Sequence, residues 1–178
     1  PLFVCLHGWG SNEDDLAGIM RYVAPYSDFV SLRAPLVLQE ASPRGFAMQQ
    51  GAYSWFHDAV PVGDDLDYDA YAAACAIDDW VTTNVGENRD VVPIGFSQGG
   101  TLAVELLRVH PQRYRAAISL SGFVAPGNVP ATTPYDDILA DLNIPVFYGY
   151  GELDTVLPKY MIYETIAWHA ATAGSTTR

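Results

Sequence analysis

Short hydrophobic runs alternate along the chain with segments of helical spacing. Five runs have the character of strands, and they lie at residues 2–6, 28–34, 90–94, 116–120 and 145–150. The first run, Leu2 to Leu6, is continuously apolar, which is typical of a strand buried on both faces of a parallel sheet.

Between these runs, apolar residues recur every three or four positions, as on the buried face of an amphipathic helix. Segments with this spacing lie at residues 16–23, 68–85, 102–109 and 158–170, and a shorter helix or turn is indicated at 135–142. Ser11 or Asn12 is suited to cap the first of them. Strands that alternate with helices predict a doubly wound, mostly parallel α/β sheet flanked by helices.

Residues 35–65 interrupt this alternation. The segment has little periodicity but carries bulky side chains, among them Phe46, Met48, Trp55 and His57. A long loop without secondary structure inside a compact domain usually has a function. The alternative is an ordinary surface loop with its aromatic side chains tucked under it. Both interpretations predict a long aromatic loop at about 35–65.

The sequence Gly95-Phe96-Ser97-Gln98-Gly99 lies where the third hydrophobic run passes into a helical segment. It fits the G-x-S-x-G nucleophile elbow, a sharp strand-to-helix turn in which the serine takes a strained backbone conformation. Glycine is needed on both sides because a Cβ atom would clash in so tight a turn. The motif predicts Ser97 as a nucleophile. The alternative is a glycine-rich turn with an incidental serine.

The composition suits one globular domain over residues 1–178. The chain is 49% hydrophobic and 17% charged, and its length leaves little room for a second domain. Its formal net charge of −12, without any basic run, would repel phosphate backbones and anionic membrane surfaces. We therefore expect no nucleic-acid partner and no peripheral membrane binding.

The two cysteines and the hydropathy bear on the compartment. Cys5 and Cys75 lie in apolar patterns and resemble buried hydrophobic residues more than a disulfide pair. A reducing, cytoplasmic compartment is therefore the expectation. No run of the sequence approaches the length and apolarity of a membrane span.

Three residues suited to chemistry follow strand ends, namely Trp9, Ser97 and Asp154. Loops after the strand C-termini of a parallel sheet converge on one edge, where ligands bind, so we expect these residues at one edge. Ser97 before Asp154 agrees with the chain order nucleophile, acid, histidine that α/β-hydrolases use. Glu152 is the competing acid, and an ordinary solvated loop acid is the alternative interpretation of Asp154.

Four motifs occur in order at residues 6–10 (Leu-His-Gly-Trp-Gly), 55–56 (Trp-Phe), 95–100 (Gly-Phe-Ser-Gln-Gly-Gly) and 151–158 (Gly-Glu-Leu-Asp-Thr-Val-Leu-Pro). Together they resemble the phospholipase/carboxylesterase family of α/β-hydrolases, which includes the acyl-protein thioesterases, over nearly all of the chain. The resemblance implies that Ser97 is the nucleophile and Asp154 the acid. It implies that the backbone N–H groups of Trp9 and Gln98 form the oxyanion hole, and that His7 has a structural role in holding its loop.

The triad histidine has no evident position among the four histidines of the chain. His110 lies at the far end of the elbow helix, where a rise of 1.5 Å per residue puts it roughly 18 Å from Ser97. His169 lies near the far end of the last helix. His57 could reach the active edge, but it precedes the serine and so violates the chain order.

The family places its histidine beyond one more strand after the acid, whereas the 178 residues end 24 positions after Asp154. We therefore expect the histidine after Arg178, on a segment with a final strand, a loop and a helix. We also expect further strands before Pro1, because a buried-strand pattern begins directly after it.

The resulting prediction is a serine esterase that cleaves carboxylic esters or thioesters through an acyl-enzyme on Ser97, without metal or cofactor. Its expected partner is a small-molecule ester or an acylated substrate. Residues in loops on the active edge are expected to line an apolar acyl pocket: Trp9, Phe46, Met48, Trp55, Phe123 and Leu157. The alternative from another class is a non-catalytic binding protein of the same fold, because no histidine is evident. A hydrolase acting on a peptide or lactone bond is a third possibility, and the oligomeric state stays open.

Overall fold

The computed structural model describes residues 1–44, 47–132 and 134–172. In chain order its elements are β1 (Leu2–Leu6), α1 (Asp14–Val23), β2 (Asp28–Leu32), β3 (Leu36–Gln39), β4 (Ser42–Arg44), β5 (Ala47–Gln49), β6 (Ala52–Ser54), α2 (Gly63–Asn84), β7 (Val91–Phe96), α3 (Gln98–Val109), β8 (Ala117–Leu120), a 3-10 turn (Pro130–Thr132), α4 (Asp136–Leu142), β9 (Val146–Gly149) and α5 (Lys159–Thr172).

Five strands form the central sheet in the order β2-β1-β7-β8-β9, and every neighbouring pair is parallel. Each of the five lies within or beside a predicted hydrophobic run. The predicted parallel α/β sheet is therefore confirmed. Within the described ranges, no helix is long and apolar enough to cross a membrane.

The side chains of β1 alternate between two hydrophobic cores. Val4 and Leu6 belong to the larger core, whereas Cys5 belongs to a smaller one with Leu16 and Met20 of α1. Successive residues of a strand point to opposite faces of the sheet, so these cores lie on its two sides. Helix α1 covers one side, and α2 and α3 supply the larger core on the other.

Helix α3 is buried along nearly its whole length. It carries a buried charge, Arg108, which donates to Glu105 at 2.9 Å, to Asp136 at 2.9 Å and to the carbonyl oxygen of Ala125 at 2.8 Å. A buried cation is tolerated when it is paired and hydrogen-bonded in this way. The network ties α3 to α4 and to the loop after β8.

The prediction of a long aromatic loop at 35–65 is wrong in its local structure. Strand β3 pairs with β6 and β4 pairs with β5, both antiparallel, and α2 already begins at Gly63 instead of residue 68. Strands of three or four residues are too short for an alternating pattern to be recognised. The aromatic side chains of Tyr53, Trp55 and Phe56 are buried in the larger core, as the tucked-under interpretation expected.

Candidate active site

The nucleophile elbow, residues Gly95–Gly99, joins β7 to α3. Ser97 has φ 53° and ψ −117°, a conformation that a residue other than glycine adopts at a cost. A Cβ atom on Gly95 would lie 1.9 Å from the carbonyl oxygen of Gly99, and one on Gly99 would lie 1.9 Å from that of Leu6. The clash expected from the sequence is therefore present on both sides of the serine.

The Ser97 hydroxyl lies near two backbone N–H groups, those of Trp9 and Gln98. In the part of the chain that the structure describes, Ser97 Oγ has no hydrogen-bond partner, and neither do the N–H groups of Trp9 and Gln98. The loop that carries Trp9 lies against the elbow, since a Cβ atom on Gly8 would lie 3.4 Å from Ser97 Cβ. Gln98 begins α3, so its N–H also lies at the positive end of the helix dipole.

The acid loop, residues Gly151–Pro158, follows β9 at the same edge of the sheet. Backbone hydrogen bonds join the strand ends there. The N–H of Ser97 donates to Leu120 at 2.8 Å, and the N–H of Ser121 donates to Gly149 at 2.6 Å. With about 4.8 Å between neighbouring strands, the ends of β7 and β9 lie roughly 10 Å apart.

Asp154 is held by the backbone of its own loop. Its Oδ1 accepts the N–H groups of Val156 at 2.8 Å and Leu157 at 3.0 Å. Its Oδ2 has no partner among residues 1–44, 47–132 and 134–172, so it is available to a histidine. Glu152 is exposed and makes no such hydrogen bonds, so the geometry favours Asp154 as the acid.

His7 is buried beside the Trp9 loop and both of its ring nitrogens are used. Nε2 accepts the backbone N–H of Ala34 at 3.1 Å, and Nδ1 lies 2.8 Å from the carbonyl oxygen of Gly8. This pattern fits the neutral ring protonated at Nδ1. Burial lowers the pKa of His7, which also favours the neutral form. These bonds fit the role of holding the loop.

Two further histidines pair with aspartates of α2. His57 Nδ1 lies 2.6 Å from Asp69 Oδ1, and the Asp69 hydrogen bond raises the pKa of His57, whose side chain is 79% exposed. His110 ends α3, as expected, and its Nδ1 lies 3.0 Å from Asp78 Oδ2.

His169 is fully buried in α5 and stacks on Tyr148 of β9, with 5.0 Å between the ring centroids. Neither ring nitrogen has a hydrogen-bond partner among the described residues, and burial lowers the pKa of His169 to about 4. No histidine ring in the described ranges is hydrogen-bonded to Ser97 or to Asp154. The general base therefore keeps its predicted place after Arg178 as a hypothesis.

The residues expected in an acyl pocket have different environments. Trp55, Phe123 and Leu157 are buried in the larger core, where Phe123 packs edge-to-face against Phe56. Trp9 is 38% exposed and so is accessible to a ligand.

Two members of that expected pocket cannot be located. Phe46 and the side chain of Met48 lie outside the described residues.

The sequence interpretation overlooked the Gln98 side chain. It is fully buried and hydrogen-bonds to the backbone of the segment after β6. A polar side chain directly after the nucleophile, at the start of a buried helix, is the signal that could have indicated such a contact.

Within the described ranges, no three His, Cys, Asp or Glu side chains are grouped in a way that could hold a metal ion. The candidate site brings together a serine, a carboxylate and backbone N–H groups.

A parallel sheet with helices on both faces and a nucleophile elbow after a central strand defines an α/β-hydrolase fold. Residues 1–176 match the family model described as Phospholipase/Carboxylesterase, so the chain belongs to that family. The resemblance inferred from the four motifs is thereby confirmed, and the chain is a hydrolase of the carboxylesterase type.

Relatives with known sequences agree with this assignment. The putative hydrolase MhqD of Bacillus subtilis is 26% identical over 160 residues, which cover 89% of this chain and 72% of that protein. Esterase CG5412 of Drosophila melanogaster is 24% identical over 176 residues, and the match covers 89% of this chain but 59% of that esterase.

Solved structures agree in fold. The carboxylesterase of Bacillus cereus superposes with a TM-score of 0.66 at 22% identity, covering 99% of this chain and 76% of that one. Acyl-protein thioesterase 2 of Zea mays gives a TM-score of 0.67 at 17% identity, covering 98% of this chain and 81% of that one.

Proposed function

We propose that the protein hydrolyses carboxylic esters or thioesters through an acyl-enzyme on Ser97. The observation that carries this assignment is the strained backbone of Ser97. Within residues 1–44, 47–132 and 134–172, its hydroxyl and two neighbouring backbone N–H groups have no hydrogen-bond partner. Strain at one residue persists only where the surrounding packing enforces it, and such residues cluster at active sites.

In the proposed reaction, a histidine takes the Ser97 proton while Oγ attacks the carbonyl carbon of the substrate. The N–H groups of Trp9 and Gln98 stabilise the oxyanion of the tetrahedral intermediate. The same histidine then protonates the leaving alcohol or thiol, and water releases the acid in a second, equivalent step. Asp154 orients the histidine through the unpaired Oδ2. We place that histidine beyond Arg178.

An apolar acyl pocket remains part of the proposal, with Trp9, Phe46, Met48, Trp55, Phe123 and Leu157 as its members. Buried residues such as Phe123 would form its floor, and the exposed Trp9 its rim. A panel of p-nitrophenyl esters of increasing chain length, together with a thioester, would define the pocket. Equal rates for acetyl and octanoyl esters would contradict it.

The experiment that tests the nucleophile compares Ser97→Ala with Ser121→Ala. Both serines follow strands at the same edge and both have positive φ, 53° and 50°. The Ser97 variant should lose turnover of a short p-nitrophenyl ester and labelling by a fluorophosphonate, while the Ser121 variant keeps both. Unchanged hydrolysis by Ser97→Ala would refute the assignment of the nucleophile. A wild-type protein that reacts with neither the ester nor the fluorophosphonate would favour the binding-protein alternative, which the family assignment does not support.

We further propose a reducing compartment, the cytoplasm. The support is that Cys5 and Cys75 are both free and form no disulfide with each other. Fractionation of the natural source checks this, and recovery from an oxidising compartment would contradict it.

A further inference from the structure

The side chain of Gln98 connects the elbow to the segment after β6. Its Oε1 accepts the backbone N–H of Trp55 at 3.0 Å and of Phe56 at 3.3 Å. Its Nε2 donates to the carbonyl oxygens of Asp58 at 2.8 Å and Ala59 at 3.2 Å. A primary amide has two donor hydrogens and two acceptor lone pairs, so all four are used, and no other amino acid supplies that set at this length.

The same segment is attached to the loop that carries the other oxyanion donor. The indole Nε1 of Trp55 donates to the carbonyl oxygen of His7 at 2.9 Å. Two residues before Trp55, the carbonyl oxygen of Tyr53 accepts the N–H of Gly10 at 2.9 Å, and the Tyr53 N–H donates to the carbonyl oxygen of Ser11 at 2.9 Å. The loop from His7 to Ser11 is thus hydrogen-bonded on both sides of Trp9.

We propose that the Gln98 amide and the Trp55 indole are positioning residues, which form a hydrogen-bonded relay that aligns the two oxyanion donors. The relay runs from Gln98 through the Trp55 backbone and indole to His7, two residues before Trp9. This inference rests on the proposed function, since it concerns the same oxyanion hole. It assigns to the Trp-Phe motif a role in transition-state stabilisation in addition to its place in the core.

Direct packing between the elbow and the loop cannot replace this relay. Gly8 contacts the elbow closely, since a Cβ atom there would lie 3.1 Å from the Phe96 ring. Such van der Waals contacts limit how closely two segments approach, but they carry little directional information. Hydrogen bonds are directional, and an oxyanion hole needs its donors aimed at one point with small tolerance.

Amide hydrogen exchange tests the relay without requiring turnover. Trp55→Phe removes the indole donor and keeps an aromatic ring in the core, while Gln98→Met removes all four amide contacts at similar volume. In Trp55→Phe, the Gly10 and Ser11 amides should exchange about tenfold faster, while the Phe56 amide is unchanged. In Gln98→Met, exchange should rise at both places.

Trp80→Phe is the control for Trp55→Phe, because Trp80 is a partly buried tryptophan that packs against the same core. Gln112→Met is the control for Gln98→Met, because Gln112 lies on the surface. Neither should alter exchange at Gly10 or Phe56. Unchanged Gly10 and Ser11 exchange in Trp55→Phe and in Gln98→Met would overturn the relay.

Kinetics on the intact protein separate this inference from the proposed function. Misaligned oxyanion donors stabilise the transition state less, so kcat should fall about 10- to 100-fold in Trp55→Phe. KM should stay nearly unchanged for an acetyl ester, whose short acyl group makes little use of the acyl pocket. A trifluoromethyl ketone, which forms a tetrahedral oxyanion adduct, should bind more weakly by a similar factor. If Ser97→Ala is inactive but Trp55→Phe and Gln98→Met behave like their controls, the relay fails and the proposed function stands. If Ser97→Ala stays active, the proposed function itself fails.

Discussion

The nucleophile elbow and the acid loop follow strands of the same sheet, but packing constrains them very differently. Around the elbow, added Cβ atoms would lie 1.9 Å from backbone oxygens, and α3 behind it is buried. In the acid loop, Leu153 is 92% and Val156 70% exposed, and the nearest atom to a Cβ on Gly151 would be 3.9 Å away. The serine is held by tertiary contacts, whereas Asp154 is held by two hydrogen bonds within its own loop.

Because of this difference, substitutions in the elbow and in the acid loop should affect folding and activity differently. A change at the elbow should damage folding together with activity, because the strained serine depends on close packing. A change in the acid loop should damage activity alone.

Asp154→Asn should lower kcat roughly 10⁴-fold while the melting temperature stays nearly the same. The amide oxygen can still accept the N–H groups of Val156 and Leu157, so the loop keeps its shape, but the amide cannot hold a histidine in the required tautomer. Steady-state kinetics and thermal melting check this. Glu152→Gln is the control and should be as active as wild type. A large loss of activity in Glu152→Gln would instead indicate that Glu152 is the acid of the site.

Gly99→Ala should destabilise the fold by more than about 3 kcal/mol, because the new methyl group would overlap the carbonyl oxygen of Leu6 and force β1 away from α3. Urea unfolding measures the free energy, and the surviving folded protein should be inactive. A fully stable, active Gly99→Ala variant would show that the elbow is not packed as described.

Acidification should lower the free energy of unfolding because of the buried His169. The unfolded histidine takes up a proton near its ordinary pKa of 6.5, whereas burial lowers the folded pKa to about 4. This part of the unfolding free energy is therefore complete above pH 6.5 and is lost as the pH falls towards 4, by about 2 kcal/mol between pH 7 and 4.5. His169→Phe should remove that dependence in urea titrations at the two pH values. An equal slope in both proteins would contradict it.

Gly151→Ala should change the unfolding free energy by less than about 0.5 kcal/mol, since the new methyl group meets open space. The matched experiment is the Gly99→Ala variant, which makes the same chemical change at the elbow. A Gly151 variant as unstable as the Gly99 variant would remove the contrast between the two regions.

Local signals in the sequence were sufficient for most of the sheet and for the elbow. Continuous apolar runs such as Leu2–Leu6 identified buried strands, and the glycines of Gly95–Gly99 identified a turn without room for Cβ atoms. The segment at 35–65 was misread because β4 and β5 are three residues long and pair with each other, which leaves no extended pattern to read.

The contacts of Gln98 and Trp55 could not have been predicted from spacing. They join positions 39 or more residues apart and depend on the backbone course of the segment after β6. A motif can place a glutamine after the nucleophile, but it does not say which backbone groups that amide will meet.

The sequence by itself determined the order of strands and helices, the elbow and the family, because these depend on hydrophobic periodicity and on residues whose local conformations are restricted. Tertiary structure alone decided which N–H groups stay unpaired beside Ser97 and which carboxylate is held in place. It also decided that His57 and His110 pair with aspartates, whereas His169 lies buried without a hydrogen-bond partner in the part of the chain that the structure describes. The physical reason is that hydrogen bonding and desolvation depend on groups distant in the chain, which are brought together when the sheet assembles.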